Sequence, residues 1–255
     1  MHIRKKKWAR PELDACPWFV PDPSAVCGHW AERFADPSLP LEVELGCGKG
    51  VSTARMAADN PGTHYVALDV SPDVLGEARR NIVRAYGDRP VDNIVLTRAD
   101  AAQVGSYFAP EDGVRRIHLS FSNPWPRPRH RKRRLTHPRQ LMQYRAFLPV
   151  GGEIWFKTDD DTLYEDSLAY FALCGFEPVT LIRDLAGSGF APNYVSEHEE
   201  KYMALGVPIK FGIFRMTGKA PDFDPTRFRL TPGVKKRVLE EISGTMNRKG
   251  EKQDV

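Results

Sequence analysis

The chain has 255 residues, 41% of them hydrophobic and 27% charged, with a formal net charge of +4. That is apolar material for one sizeable α/β domain with appendages, and no apolar run nears the ~20 residues of a membrane span, so a helical membrane protein is excluded. The basic residues 2–7 run into Trp8-Ala9-Arg10-Pro11, so no signal peptide is expected; Cys16, Cys27, Cys47 and Cys174 form neither a C-x-x-C pair nor a zinc spacing, which points to a reduced, cytoplasmic compartment and no metal.

Residues 1–30 read as an irregular, basic, proline-rich arm. After Arg4-Lys5-Lys6-Lys7-Trp8 the choice lies between a solvated arm and one that orders on a polyanion. Regular patterning begins at Leu41. Strands are expected at 41–45, 64–69, 93–97, 115–121 and 152–157, and helices at 51–58, 72–86, 138–148 and 160–174. In the second helix Val74, Leu75, Ala78, Ile82 and Ala85 recur at helical spacing behind Pro72, a favoured first-turn residue. Two further strands, 177–183 and 209–216, are most simply an edge pair. Residues 31–217 thus form one domain; 218–255 is an extension with a linker at 218–229, a short amphipathic helix at 234–242 and a polar tail, and no role is assigned to it. Strands alternating with helices predict an α/β fold, a mostly parallel seven-stranded sheet covered on both faces, with ligands at the carboxyl ends of the strands.

The run Glu44-Leu45-Gly46-Cys47-Gly48-Lys49-Gly50 closes the first strand and opens the first helix. A dinucleotide fingerprint would put its third glycine at position 51, which is Val51, and a P-loop would end in Gly-Lys-Ser/Thr, which Gly48-Lys49-Gly50 does not. Glu44 would also repel a pyrophosphate. A carboxylate there suits a ligand cationic at one end, such as the sulfonium and amino groups of S-adenosyl-L-methionine. Asp69, ending the second strand, is placed to accept from ribose hydroxyls, and Asp100-Ala101, after the third, to hold an adenine amino group. Each aspartate alone is more often a helix cap or a solvated loop residue. Glu44, Gly46, Gly48, Gly50, Asp69, Asp100 and Ala101 in sheet order predict a Rossmann-like methyltransferase fold that binds this cofactor.

The fourth strand leads into Asn123-Pro124-Trp125-Pro126 and then into six Lys or Arg among residues 127–134. Without those six the rest of the chain stands at −2. Arg127, Arg129, Arg131, Lys132, Arg133 and Arg134, with His130, cannot all be buried unpaired and are expected to face a polyanion. Asn123-Pro124-Trp125 partly matches the Asn/Asp-Pro-Pro-aromatic turn of amino-methylating enzymes, with Pro126 after the aromatic residue instead of before it. Lys157-Thr158-Asp159 closes the fifth strand, where the Asp159 carboxylate can accept from the N1 and N2 hydrogens of a guanine. Asp160 and Asp161 suit a helix N-terminus.

Four segments together resemble the bacterial tRNA (guanine-N7)-methyltransferase family. They are Arg4-Lys5-Lys6-Lys7-Trp8-Ala9, the run 121–136, Phe156-Lys157-Thr158-Asp159, and Ser196-Glu197-His198-Glu199-Glu200-Lys201-Tyr202 with Gly206-Val207-Pro208-Ile209. They span residues 4–216 in the family's order. The resemblance implies methyl transfer from S-adenosyl-L-methionine to N7 of a guanine in the tRNA variable loop, at position 46. It implies Glu44, Asp69 and Asp100 for the cofactor, with Asn123, His130, Arg133, Lys157, Asp159, Ser196 and Glu199 around the guanine or tRNA. Asn123 stands where the family usually has Asp, Ser196 where it has Thr, and His198 where it has Tyr or Phe; Asn removes a charge, though an amide still donates and accepts. The competing readings are a methyltransferase for another RNA base and a catalytically weak tRNA-binding homologue. The sequence sets no oligomeric state.

Overall fold

The structure, a computed structural model, describes residues 5–250 except 222 and 226, and for 247–250 the backbone alone. Arg4 of the basic arm and the end of the polar tail lie outside the described residues. The strands are β1 (Phe19–Val20), β2 (Leu41–Leu45), β3 (His64–Asp69), β4 (Ile94–Arg98), β5 (Val114–Ser120), β6 (Glu153–Thr158), β7 (Phe176–Ile182) and β8 (Lys210–Met216). The helices are α1 (Ala9–Asp14), α2 (Val51–Asp59), α3 (Pro72–Tyr86), α4 (Pro138–Phe147), α5 (Asp161–Leu173), α6 (Glu197–Ala204) and α7 (Pro232–Gly250).

One sheet in the order β1-β4-β3-β2-β5-β6-β8-β7 runs through the molecule. All pairs from β1 to β6 are parallel, and β8 runs antiparallel to both β6 and β7, so the expected edge pair is present. The strand count is eight instead of seven because Phe19–Val20 of the amino-terminal arm pairs with β4. Along β2 the side chains alternate. Leu41, Val43 and Leu45 enter the core shared with α4 and α5, whereas Glu42 and Glu44 are buried in register with Tyr65 and Ala67 of β3, which pack under α2 and α3.

The arm itself departs from the irregular segment expected. Ala9 and Leu13, four apart, are buried against α3, and a Cβ on Gly76 would stand 2.6 Å from that of Ala9, so α1 crosses α3 where α3 has no side chain. Glu12 pairs with Arg79 and Arg80, the Arg80 guanidinium lies 3.4 Å over the Trp8 ring, and Lys6 pairs with Glu77 at 2.7 Å. Six residues holding Pro11 carry too short a pattern to reveal the helix. The described part of the extension packs onto the domain as well. Its helix is longer than the 234–242 expected, Val238 and Ile242 are buried, and Lys235 reaches Asp166 of α5 at 2.9 Å.

Candidate active site

The carboxyl ends of β2, β3 and β4 carry the predicted cradle. Gly46, Gly48 and Gly50 all have positive φ, at 82°, 57° and 63°. Only Gly50 is also crowded, since a Cβ there would stand 2.9 Å from that of Ala78 in α3; over Gly46 and Gly48 the space is open. A loop folded this way turns its backbone towards that space. The Asp69 carboxylate accepts from Gly48 N at 3.2 Å and Ser71 N at 2.9 Å, which fixes it at the edge of the loop. Asp100 is exposed and caps the turn Ala101–Ser106 through Ala102 N at 2.9 Å, while Ala101 packs against the core and accepts from Gln140 at 2.6 Å.

Glu44 is buried, and Thr53 of α2 donates to its carboxylate. Burial pushes its pKa up against that hydrogen bond and the nearby His118 and Lys157; burial likewise raises Asp69, against hydrogen bonds from Ser71 and Gly48. Two carboxylates held where ionisation is costly, beside open space, suit a cationic ligand that would repay the cost. Glu42, one pleat earlier, is the opposite case. Burial opposes its ionisation, but His118 at 2.8 Å, Arg116 at 2.9 Å and Arg115 at 2.7 Å outweigh it and hold its pKa at about 2.

Beyond β5 the turn is strained. Phe121 and Trp125 take φ of 54° and 41°, a region costing on the order of 1–3 kcal/mol for residues with side chains. Three hydrogen bonds hold it: Phe121 N to Lys157 O at 2.9 Å, Trp125 N to the Asn123 side chain at 3.0 Å, and Arg134 Nε to Pro124 O at 2.6 Å. The basic run does not point one way. Arg127, Arg129, Lys132 and Arg133 are exposed; Arg133 lies 5.1 Å over the Trp125 ring, and His130 meets the same ring edge-on at 5.8 Å. Arg134, by contrast, is 1% exposed and bonded to Asp166 at 2.7 Å, and Arg131 reaches the same carboxylate at 3.2 Å. The expectation that Arg134 grips RNA is therefore corrected: it ties the turn to α5. A periodic pattern does not distinguish a buried, paired arginine from a solvated one.

Residues 193–199 fold against the ends of β2 and β6. Glu199 is 0% exposed, bonded to Lys157 at 3.2 Å and to Asn193 at 2.9 Å, so Glu199 does not face outward as a substrate-binding residue would, whereas Lys157 is half-buried and lines a cavity with Glu44. Ser196 is the N-cap of α6, its hydroxyl accepting from Glu199 N at 3.2 Å. The Ser-x-x-Glu spacing at 196–199 is a capping signature and marks this helix, which the expected strands and helices omit. Asp159 is partly exposed and lies 3.1 Å from His198, whose ring stacks on Tyr202 and tilts against Phe121. Lys49 of the glycine loop pairs with Glu197 at 2.6 Å and links the loop to α6. His198, Asn193 and Lys49 were not among the candidate residues; only His198, in an aromatic position, left a signal.

Among the described residues no group of three metal-binding side chains exists, no helix is long and apolar enough to cross a membrane, and all four cysteines are free. The chain shares its fold with the 16S rRNA methyltransferase KamB, with a TM-score of 0.51, 15% identity, and coverage of 70% of this chain and 88% of that one. A second solved structure, an antibiotic-related methyltransferase, has a TM-score of 0.50 at 14% identity over 84% of this chain and 95% of that one. Sheet order and glycine loop thus define a Rossmann-like methyltransferase, and the family model described as "Putative methyltransferase" matches residues 38–211. A tRNA (guanine-N(7)-)-methyltransferase of Clostridium perfringens (strain SM101 / Type A) is 47% identical over 213 residues, 83% of this chain and 97% of that protein. Another, from Ruminiclostridium cellulolyticum, is 44% identical over 214 residues, 83% of this chain and 90% of that protein. The chain belongs to the tRNA (guanine-N7)-methyltransferase family.

Proposed function

We propose that the protein transfers a methyl group from S-adenosyl-L-methionine to N7 of the guanine at position 46, in the variable loop of tRNA. The observation that carries the reading is the alignment, at the ends of adjacent strands, of Glu44, Asp69 and Asp100 beside open space over Gly46 and Gly48. The donor set fits the cofactor. Glu44 and the loop would hold the cationic amino-acid end, Asp69 the ribose hydroxyls, and Asp100 with Ala101 the adenine, while Asn123 borders the donor from β5. Bound S-adenosyl-L-methionine supplies an electrophilic methyl group on a positively charged sulfur.

Guanine N7 has a lone pair and no proton, so no residue need act as a base. Alignment is the main requirement, and holding two reactants in line can lower a barrier by up to ~7–11 kcal/mol. Asp159 accepts from the Watson–Crick edge and stabilises the positive charge that develops on the purine. Glu199 acts behind it, fixing Lys157 and Asn193, and Ser196 fixes Glu199. Arg127, Arg129, His130, Lys132 and Arg133 hold phosphates, with Arg131 shared between that task and Asp166. A tRNA substrate and four unpaired cysteines support a cytoplasmic site of action. The test is one assay with purified protein, unmodified tRNA and labelled cofactor, followed by digestion to nucleosides. Label in 7-methylguanosine is expected; label in another nucleoside, or tRNA binding without transfer, contradicts the proposal.

A further inference from the structure

The extension closes a basic recess against the turn after β5. It has a volume of about 770 Å³, within the range of ligand sites, and none of the described residues that line it is acidic. Arg129, Arg131 and Lys132 stand on one side, Arg227 and Arg229 on the other, and Arg139 at the head of α4. Between them lie rings: Tyr170 is 5.4 Å from His137 and 6.3 Å, edge-on, from Phe228 of the extension. Arg131 is drawn to Asp166 and Arg227 to Asp224 at 3.6 Å, but Arg129, Lys132 and Arg229 are exposed and form no ion pair among the described residues.

One carboxylate ties the turn to the helix that follows the far wall. Asp166 binds Arg131 and Arg134 of the turn and Lys235 of α7, and Lys235 also reaches Glu165 at 3.1 Å. Val238 and Ile242 seat the same helix on the core. The match to the Clostridium perfringens relative takes in 97% of that protein but 83% of this one, and the family model ends at residue 211.

We propose that this recess is an additional RNA-binding site, in which a backbone phosphate of the tRNA lies between Arg129, Lys132 and Arg229. Exposed cations without carboxylate partners among the described residues suit a phosphodiester. The proposal rests on the reading that the substrate is tRNA.

The test compares the wild type with Arg227→Ala/Arg229→Ala and with Arg227→Lys/Arg229→Lys. Both positions are exposed, so melting temperatures should agree. Affinity for unmodified tRNA is measured from 50 to 200 mM salt, with methyl transfer in parallel. The alanine variant should lose about tenfold in affinity at 100 mM salt, and its log–log salt slope should be shallower by about 1–2, with KM for tRNA raised and kcat within twofold. The lysine variant should keep the wild-type slope. An alanine variant with wild-type affinity and slope, in a protein that methylates tRNA, overturns the recess and leaves the proposed function standing. A wild type that transfers no methyl, beside an alanine variant of reduced slope, overturns the proposed function and leaves the recess as an RNA site.

Discussion

Glu44 occupies a position where an ionised carboxylate works against folding. Burial raises its pKa, so the folded protein binds that proton more tightly than the unfolded chain, and the charged form at neutral pH costs stability. Glu44→Gln should therefore melt at or above the wild type at pH 7 without ligand. It should also bind S-adenosyl-L-methionine at least tenfold more weakly by calorimetry, since a hydrogen bond to a charged group contributes about 1.5–3 kcal/mol. Unchanged affinity would remove Glu44 from the cradle. Asp159→Asn separates chemistry from binding: on the proposed role, in which this charge stabilises the purine, kcat should fall by about 100-fold, with cofactor affinity within twofold. Wild-type turnover in that variant would end the assignment. Glu44, Asp69 and Asp159 were legible because each ends a strand in an α/β pattern. The burial of Glu199 and Arg134 was not, because it is decided by partners 42 and 32 residues away, Lys157 and Asp166.

The turn after β5 and the start of α6 act as elements. Phe121 and Trp125 hold conformations that relax unless their surroundings prevent it, and Arg134 does so by joining Pro124 O to Asp166. Arg134→Met should destabilise the fold by about 3 kcal/mol, as expected when one partner of a buried ion pair is removed. It should lower kcat through a loosened turn and leave the salt slope of tRNA binding as in the wild type. A shallower slope with unchanged stability would mean that Arg134 contacts phosphate after all. The sequence marked this stretch as the most basic in the chain and read it as one electrostatic unit. The structure divides it into exposed residues, 127–129 with 132 and 133, a half-buried His130, and residues 131 and 134 that meet Asp166.

At the scale of the whole molecule, seven strands and five helices followed from patterning, because a sheet covered on both faces imposes long apolar runs between helical segments. What stayed hidden was short or set by distant partners: the two residues of β1, the six of α1, the eight of α6, and the full length of the extension's helix, which gains its partners only when α5 is beside it. The sheet also carries a charge-dependent part of the stability. Glu42 has a pKa of about 2 in the fold against an ordinary 4.5, so its contribution is complete above pH 4.5 and lost as pH falls through about 2. The unfolding free energy of the wild type should exceed that of Glu42→Gln by on the order of 3 kcal/mol near pH 6, and the gap should close as pH approaches 2; a gap independent of pH would contradict the ion-pair account. The central claim, that the methyl group goes to N7 of a guanine, is tested most directly on tRNA in which the guanine at position 46 is replaced by 7-deazaguanine, which has carbon at that atom. Binding should persist at wild-type affinity and methyl transfer should vanish; transfer undiminished on the deaza substrate would contradict the account.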